Sequence, residues 1–222
     1  MSLLGIDTST AASSACVVRG DGEAFELAPP VSALRAAPAH ARELMPAIAR
    51  VMEQAGVGFA ELEAIAVGRG PGTFTGLRIG IATARALAQA HALELRPVSS
   101  LAVLAEGIEA PSRLAVLDAR RGEVFAALYE NGTAAIGPLV ATPEQLADRL
   151  ANARPRPLAA GDGSVRFRQV LEAAGVAVLD DESPSHVVRG LHVCRLAAGV
   201  PGAAPETVLP DYLRDPDARP AR

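Results

Sequence analysis

The 222-residue chain has no lysine and no tryptophan, and it holds only two cysteines, two tyrosines and five phenylalanines. Each absence excludes something. A Walker A loop needs a lysine to reach the β- and γ-phosphates, so none can exist here. So few aromatic rings leave little material for stacking bases, which makes single-stranded nucleic acid a poor partner for the chain alone. Cys16 and Cys194 lie far apart inside apolar segments and read as buried free thiols rather than a disulfide framework or a metal knot. No uninterrupted apolar run reaches the ~18 residues of a membrane span. The opening stretch, MSLLGIDTST, lacks the basic segment of a secretory signal. A cytoplasmic protein with no membrane partner is the expectation. All 21 cationic side chains are arginine and the net charge is -4, so the chain as a whole does not draw in nucleic acid. The pair Arg120 and Arg121 reads first as a solvated hairpin tip, with local phosphate contacts as the alternative.

Half of the residues are hydrophobic, spread as Ala, Val and Leu in short periodic runs. Strand-like segments at 2–7, 13–19 and 22–27 are followed by a helical period over 38–55, in which Ala41, Leu44, Met45, Ile48, Val51, Met52 and Ala55 share a face. Gly56 stops it. A strand at 62–67, a helix over 74–91, a strand at 94–98 and a short helix over 100–106 complete the first half. On the 74–91 helix, Leu77, Ile81, Ala84 and Ala88 form one stripe, and Gly76, Gly80, Thr83 and Leu87 form a small-residue face. The second half repeats the theme loosely, with strands at 113–118, 123–130, 157–160 and 176–179. Helices are expected from Thr142-Pro143, from 164 to 174 and from 185 to 199. The tail from Pro205 is rich in proline and charge and is expected to be an extended arm that frays at its end. These alternations predict an α/β protein of two lobes, 1–107 and 108–222, each a mixed sheet with flanking helices.

The most distinctive stretch is GRGPGTFTGLRIG, residues 68–80. It has glycines and a following helix, as a phosphate cradle would. Its spacing fits neither the Walker nor the dinucleotide fingerprint, because the positions that would complete them fall on Thr73 and Thr75. Read from the residues, the stretch is a helix entrance: Gly70 and Gly72 take backbone conformations closed to other residues, and Thr73 or Thr75 caps the helix.

Taken together, GIDTST, VGRGPGTFTGLRIGIATARALA, LDARRGEVFAALY and LPDYLR resemble the bacterial TsaB (YeaZ) family. The resemblance implies a two-lobed fold of the actin, sugar-kinase and Hsp70 type, and a part in making the threonylcarbamoyl modification of the adenosine beside the anticodon of tRNAs that read codons beginning with A. It implies a non-catalytic scaffold that pairs with a catalytic paralogue, TsaD. A TsaE-like ATPase belongs to the wider complex, tRNA is met only at that level, and the free chain is a homodimer. The paralogue carries a His-x-x-x-His metal motif where this chain has Ser100 and Leu104, so no metal centre is expected. No cofactor is assigned to this chain, with ATP and magnesium entering only at the level of the complex.

Two sets of candidate residues follow. Asp7, Thr8, Ser9, Gly70, Gly72, Thr73, Thr75, Gly76, Asp118, Gly161 and Gly163 are candidates for a residual phosphate or nucleotide site. In this fold class the place of Asp7 usually holds a phosphate or its magnesium ion, and the turn Gly161-Asp162-Gly163 is where an adenosine would be received. The competing readings are that Asp7 accepts from the backbone of the following turn, and that Asp118 caps the turn after its strand. The second set, His40, Leu44, Met45, Ile48, Gly76, Leu77, Gly80, Ile81 and Ala84, is what the resemblance implies for a partner interface. Periodicity alone fits equally well with helices that cover the chain's own sheet. An autonomous ATP-dependent phosphotransferase of the sugar-kinase type, using Asp7 and the glycine loop, is the alternative function. A peptidase is a poor third, since no Ser-His-Asp or two-histidine metal set stands out among His40, His91, His186 and His192.

Overall fold

The computed structural model describes residues 2–214, and the end of the tail expected to fray lies outside them. The first sheet is built from β1 (Ser2–Asp7), β2 (Ser14–Val18), β3 (Ala24–Leu27), β4 (Leu62–Gly68) and β5 (Glu94–Val98), in the order β3-β2-β1-β4-β5. β1 runs antiparallel to β2 and parallel to β4, with Leu4 beside Ile65 and Ile6 beside Val67. β1 and β4 are nearly continuous in apolar residues because both of their faces are covered. On one face lie α1 (His40–Ala55) and α2 (Phe74–His91), whose Leu44, Ile48, Val51, Ile81 and Ala84 pack on Leu4, Ile6, Ile65 and Val67. Burying each Leu or Ile contributes roughly 1.5–3 kcal/mol.

The second sheet repeats the order. Its strands are β6 (Ser112–Arg120), β7 (Glu123–Glu130), β8 (Thr133–Ala141), β9 (Leu158–Ala160) and β10 (Ala177–Val178), arranged β10-β9-β6-β7-β8. Again the first three are antiparallel neighbours and the last two run parallel to the first. Leu114, Val116 and Ala126 pack beneath α4 (Pro143–Leu150) and α6 (Arg168–Ala173) through Leu146, Leu150 and Leu171. Thr142 and Gln145 form the expected capping box at the start of α4. The short α5 (Asp162–Arg166) follows β9 directly.

Three features differ from the sequence reading. β8 has no counterpart among the strands expected from the sequence, although Asn131-Gly132, with φ of 51° and 80°, is a strong hairpin signal between two runs. β8 is an edge strand, mostly exposed, and interrupted by Gly137-Pro138, so it lacks the alternation that marks a half-buried strand. The helix expected over 185–199 is only α7, Gly190–Ala197. Upstream, His186 is tied at both ring nitrogens: Nδ1 accepts from Gly161 N–H at 3.0 Å, and Nε2 lies 2.8 Å from the Asp180 carbonyl. His186 and His192 therefore do not share a helix.

α7 lies mainly on the first sheet, although its Val193 and Ala197 share a cluster with Ala115 and Leu117 of β6. It crosses back and packs on the open face of the first, where Cys194 joins Leu3, Cys16 and Ala64. Glu26 on β3 fixes its start by pairing with Arg189 and accepting from Leu191 N–H at 3.0 Å. α3 (Ser100–Glu106) packs beside α7 and bridges to the second sheet, with Leu101, Leu104, Ala115 and Val193 in one cluster. The two sheets divide between Val98 and Ser112, but α7 and the chain as far as Asp211 return to the first lobe.

Candidate functional site

A cleft of about 900 Å³ lies between the lobes. Its walls are the start of α1 (38–42), the entrance of α2 (72–79), the β6–β7 hairpin (118–125) and the arm (211–214). Backbone bonds hold the α2 entrance from three sides: Thr73 N–H donates to Ser9 O at 2.7 Å, Ser100 N–H to Gly70 O at 2.9 Å, and Asp211 N–H to Arg69 O at 2.8 Å. Gly70 has a φ of 119°, which glycine adopts without strain. Thr73 stands at the N-cap position, but its hydroxyl makes no capping bond. That corrects the expected cap: the Thr73 side chain turns into the protein, where its Oγ1 is buried without a partner. Thr75 lies inside the helix, so it does not cap either.

Beneath this entrance sits Asp7, 1% exposed. Its Oδ1 accepts from Ser9 N–H at 2.8 Å and Ser9 Oγ at 2.6 Å, and its Oδ2 accepts from Ser100 Oγ at 3.0 Å. Burial pushes its carboxyl up from 3.8 to about 6, with these three bonds pulling the other way. Thr8 and Ser9 are equally buried, because α2 lies directly on them. A Cβ on Gly76 would stand 2.0 Å from Thr8 O, and one on Gly80 2.2 Å from Thr8 Oγ1. The small-residue face of α2 thus serves a close approach to the chain's own β1–β2 loop.

The proposed phosphate set is consequently split. Gly72, Thr73, Thr75, Gly76 and Asp118 line the cleft. Asp7, Thr8 and Ser9 lie under α2, Gly70 lies against Asp211, and Gly161 and Gly163 press on the backbone of Val116 and Leu117. Asp118 both faces the cleft and closes its turn. Its Oδ1 accepts from Arg120 N–H at 2.8 Å, and its Oδ2 accepts from Arg166 at 2.7 Å. Asp162 accepts from Asp118 N–H at 2.9 Å, and its own carboxyl is raised to about 6, by burial first and by the charge of Asp118 in addition.

The interface set is corrected more sharply. His40, Leu44, Ile48, Gly76, Leu77, Gly80, Ile81 and Ala84 are all buried within this chain; of that set only Met45, 47% exposed, faces outward. The periodic stripe is the one that covers the sheet. The outward faces carry Ala41, Met45 and Ala49 on α1, and Phe74, Arg78, Ala82 and Ala86 on α2.

Sequence reasoning also missed the rim of the cleft. The Arg78 guanidinium lies 3.8 Å from the centre of the Phe74 ring and donates to Tyr212 Oη at 3.0 Å, while Tyr212 stacks on Phe74 at 5.4 Å. Arg214 donates to Ala119 O and pairs with Glu123, which ties the arm to the second lobe. The contacts of the arm, from Tyr212 to Arg78 and from Arg214 to Ala119, span 134 and 95 residues of chain, beyond any local pattern; the LPDYLR stretch is their only signal. His40 has Nδ1 2.8 Å from Ser13 Oγ and no partner at Nε2. Burial holds its pKa below the ordinary histidine value. A Ser-His pair of this kind lacks the carboxylate that orients the ring in a hydrolytic triad. Ser100 is engaged with Asp7, and Leu104 is fully buried. No group of three or more His, Cys, Asp or Glu with metal-binding arrangement occurs among the described residues.

Two lobes with the same five-strand order, closing on one cleft, define an α/β protein of the actin, sugar-kinase and Hsp70 class. The family model for TsaD, described as tRNA N6-adenosine threonylcarbamoyltransferase, matches residues 33–172. The Escherichia coli tRNA threonylcarbamoyladenosine biosynthesis protein TsaB is 30% identical over 97% of this chain and 95% of its own length. An uncharacterised Mycobacterium leprae protein is 35% identical over 98% of this chain, which spans 56% of that longer protein. A solved Pseudomonas aeruginosa protein, described as similar to the peptidase YeaZ, superposes with a TM-score of 0.81 at 31% identity, covering 96% of this chain and 99% of that one. The chain belongs to the TsaB (YeaZ) family, within the wider set that the TsaD model describes. Its TsaB relatives are named for the biosynthesis of threonylcarbamoyladenosine in tRNA. No helix among the described residues is long and apolar enough to cross a membrane.

Proposed function

We propose that this chain is a non-catalytic scaffold subunit, in the cytoplasm, that pairs with a TsaD-like catalytic paralogue and supports threonylcarbamoyl transfer to tRNA without performing it. A TsaE-like ATPase completes the working complex, and the same face makes a homodimer when the chain is alone. The observation that carries the reading is the outward stripe of α1 and α2. Ala41, Met45, Ala49, Ala82 and Ala86 are exposed together, with Met45 at 47% and Phe74 at 43%. Small side chains flanking two large apolar ones let a second helix pair approach closely. The non-catalytic part draws support from Ser100 and Leu104, which are committed to internal contacts where the paralogue would need imidazoles. The sugar-kinase alternative relies on Asp7, which lies under α2 and not on the cleft wall.

Native mass spectrometry of the chain alone, and then mixed with the paralogue from the same organism, tests this. A one-to-one heterodimer that forms at the expense of a homodimer, and is lost in Met45→Arg, is the expected result. Absence of the heterodimer under every nucleotide condition overturns the pairing. Threonylcarbamoyl transfer by the purified chain alone overturns the non-catalytic role.

A further inference from the structure

The large hydrophobic side chains exposed among the described residues are Met45 on α1, Phe74 on α2, and Leu209 and Tyr212 on the arm. They belong to one side of the molecule. α1 and α2 cover the same face of the first sheet, and the arm runs beside α2: Val208 is buried in one cluster with Ala84 and Ala88, and Asp211 N–H donates to Arg69 O just ahead of the α2 entrance. The outward row of α2 is Phe74, Arg78, Ala82 and Ala86, and that of α1 is Ala41, Met45 and Ala49. Alanines permit close approach but bury little, so the binding energy of this face has to come from its few large groups.

Three of those groups form a preassembled cluster. The Arg78 guanidinium lies over the Phe74 ring at 3.8 Å, Tyr212 stacks on Phe74 at 5.4 Å, and Arg78 Nε donates to Tyr212 Oη at 3.0 Å. Arg78 is thereby held in one orientation, and the rotamer freedom that binding would otherwise remove is already given up. Its Nη1 and Nη2 make no hydrogen bond or ion pair among the described residues. α2 contains no Asp or Glu, so nothing on its own helix compensates the charge. Two parallel donors on a fixed guanidinium match the two oxygens of a carboxylate. A second copy of this chain suits the spot poorly, because an α2 helix facing its own copy brings arginine to arginine, and like charges oppose the contact. An acidic partner helix is the better fit.

We infer that Phe74, Arg78 and Tyr212 anchor the partner on this face, and that the partner supplies a helix whose carboxylate meets Arg78 end-on while an apolar side chain of that helix packs on the two rings. The inference rests on the pairing proposed above and adds to it: Tyr212 makes the arm a third element of the interface beside the two helices.

The test is isothermal titration calorimetry of the full chain with the TsaD-like paralogue from the same organism, for the wild type, Arg78→Gln, Tyr212→Phe and Met45→Arg. Arg195→Gln, exposed on α7 across the first sheet, is the control and is expected to change nothing. Arg78→Gln is expected to raise the dissociation constant about 30-fold or more, the scale of an interface hot spot, and to flatten its dependence on salt. Tyr212→Phe keeps the stack on Phe74 but frees Arg78, and is expected to raise it about tenfold. In both variants the Asp211 N–H and Arg214 still hold the arm, so its attachment is not what changes. A heterodimer that is lost in Met45→Arg but keeps wild-type affinity in Arg78→Gln and Tyr212→Phe overturns this inference and leaves the pairing intact. Tighter binding by Tyr212→Phe, the sign of an arm that competes with the partner, overturns it as well. Weaker binding by Arg78→Gln with an unchanged salt dependence overturns the carboxylate. No heterodimer with the wild-type chain overturns the pairing and this inference together.

Discussion

Replacing Asp7 by Asn should make the protein more stable at neutral pH and leave it no more stable in acid. Asp7 is 1% exposed, and its folded pKa stands at about 6 against an ordinary 3.8. A carboxyl whose pKa is raised by folding contributes its full stability below the unfolded value, near 3.8, and that contribution is lost as pH rises through about 6. Above pH 7 the ionised group costs about 3 kcal/mol, at roughly 1.4 kcal/mol for each pH unit between the two values. Asparagine removes the charge while its carbonyl still accepts from Ser9, and the Ser100 hydroxyl can turn to accept from the new amide. Those bonds weaken once the acceptor is neutral, which offsets part of the gain. The net expectation is a gain of about 1–2 kcal/mol at pH 7.5 that disappears by pH 4.5. Urea unfolding of both proteins, followed by far-UV circular dichroism across that range, reads the difference directly. A difference that stays constant with pH, or a loss above about 1 kcal/mol at pH 7.5, would refute the argument that burial dominates the energetics of this carboxylate.

Other changes should act as follows. Met45→Glu, on the exposed face, should alter stability by less than about 0.5 kcal/mol while abolishing dimers in native mass spectra. Ile48→Ala, one turn away on the buried face, should cost about 2–5 kcal/mol in urea unfolding. His186 has a lowered pKa because burial disfavours its charged form, so its contribution is complete above the ordinary value of 6.5 and is lost as pH falls through the folded one. His186→Leu leaves the Gly161 N–H without its acceptor, which should cost about 1–3 kcal/mol and flatten the melting temperature between pH 5 and 7. Cys16 and Cys194 are buried, and the thiol of Cys194 is pushed well above its ordinary value, first by its contact with Cys16 and then by burial. Both should resist a chromogenic aryl disulfide until the protein is unfolded, when two thiols per chain should react.

The sequence carried the fold because its elements are locally marked. β1 and β4 are short apolar runs, α1 ends at Gly56 in the left-handed conformation, and Thr142 with Gln145 announces α4. What it could not carry was which of two equally apolar surfaces a helix would meet. Leu44 and Ile81 have the period of a buried stripe whether the cover is the chain's own sheet or another protein, and the periodicity of α1 says nothing of how exposed Met45 is. The glycines of α2 misled in the same way: small residues at 76 and 80 signal close approach, and the approach is to Thr8 within the chain. The cleft was legible along its glycine loop and at Asp118, where a strand ends. Its other walls, with Arg42 and Tyr212, are brought together by pairings far apart in sequence that no local pattern encodes.

The return of α7 to the first sheet sets an order of events during synthesis. Leu3, Cys16 and Ala64 have all left the ribosome by the time β5 is made, yet Cys194, which packs on them, emerges about a hundred residues later. At ordinary translation speeds that is an interval of about 5–20 s. Through it the first lobe is a sheet with one face dressed by α1 and α2 and the other open to water. The lobe that is first in sequence is therefore the last to be finished, and a fragment ending near residue 107 would carry a permanent apolar wound where α7 belongs.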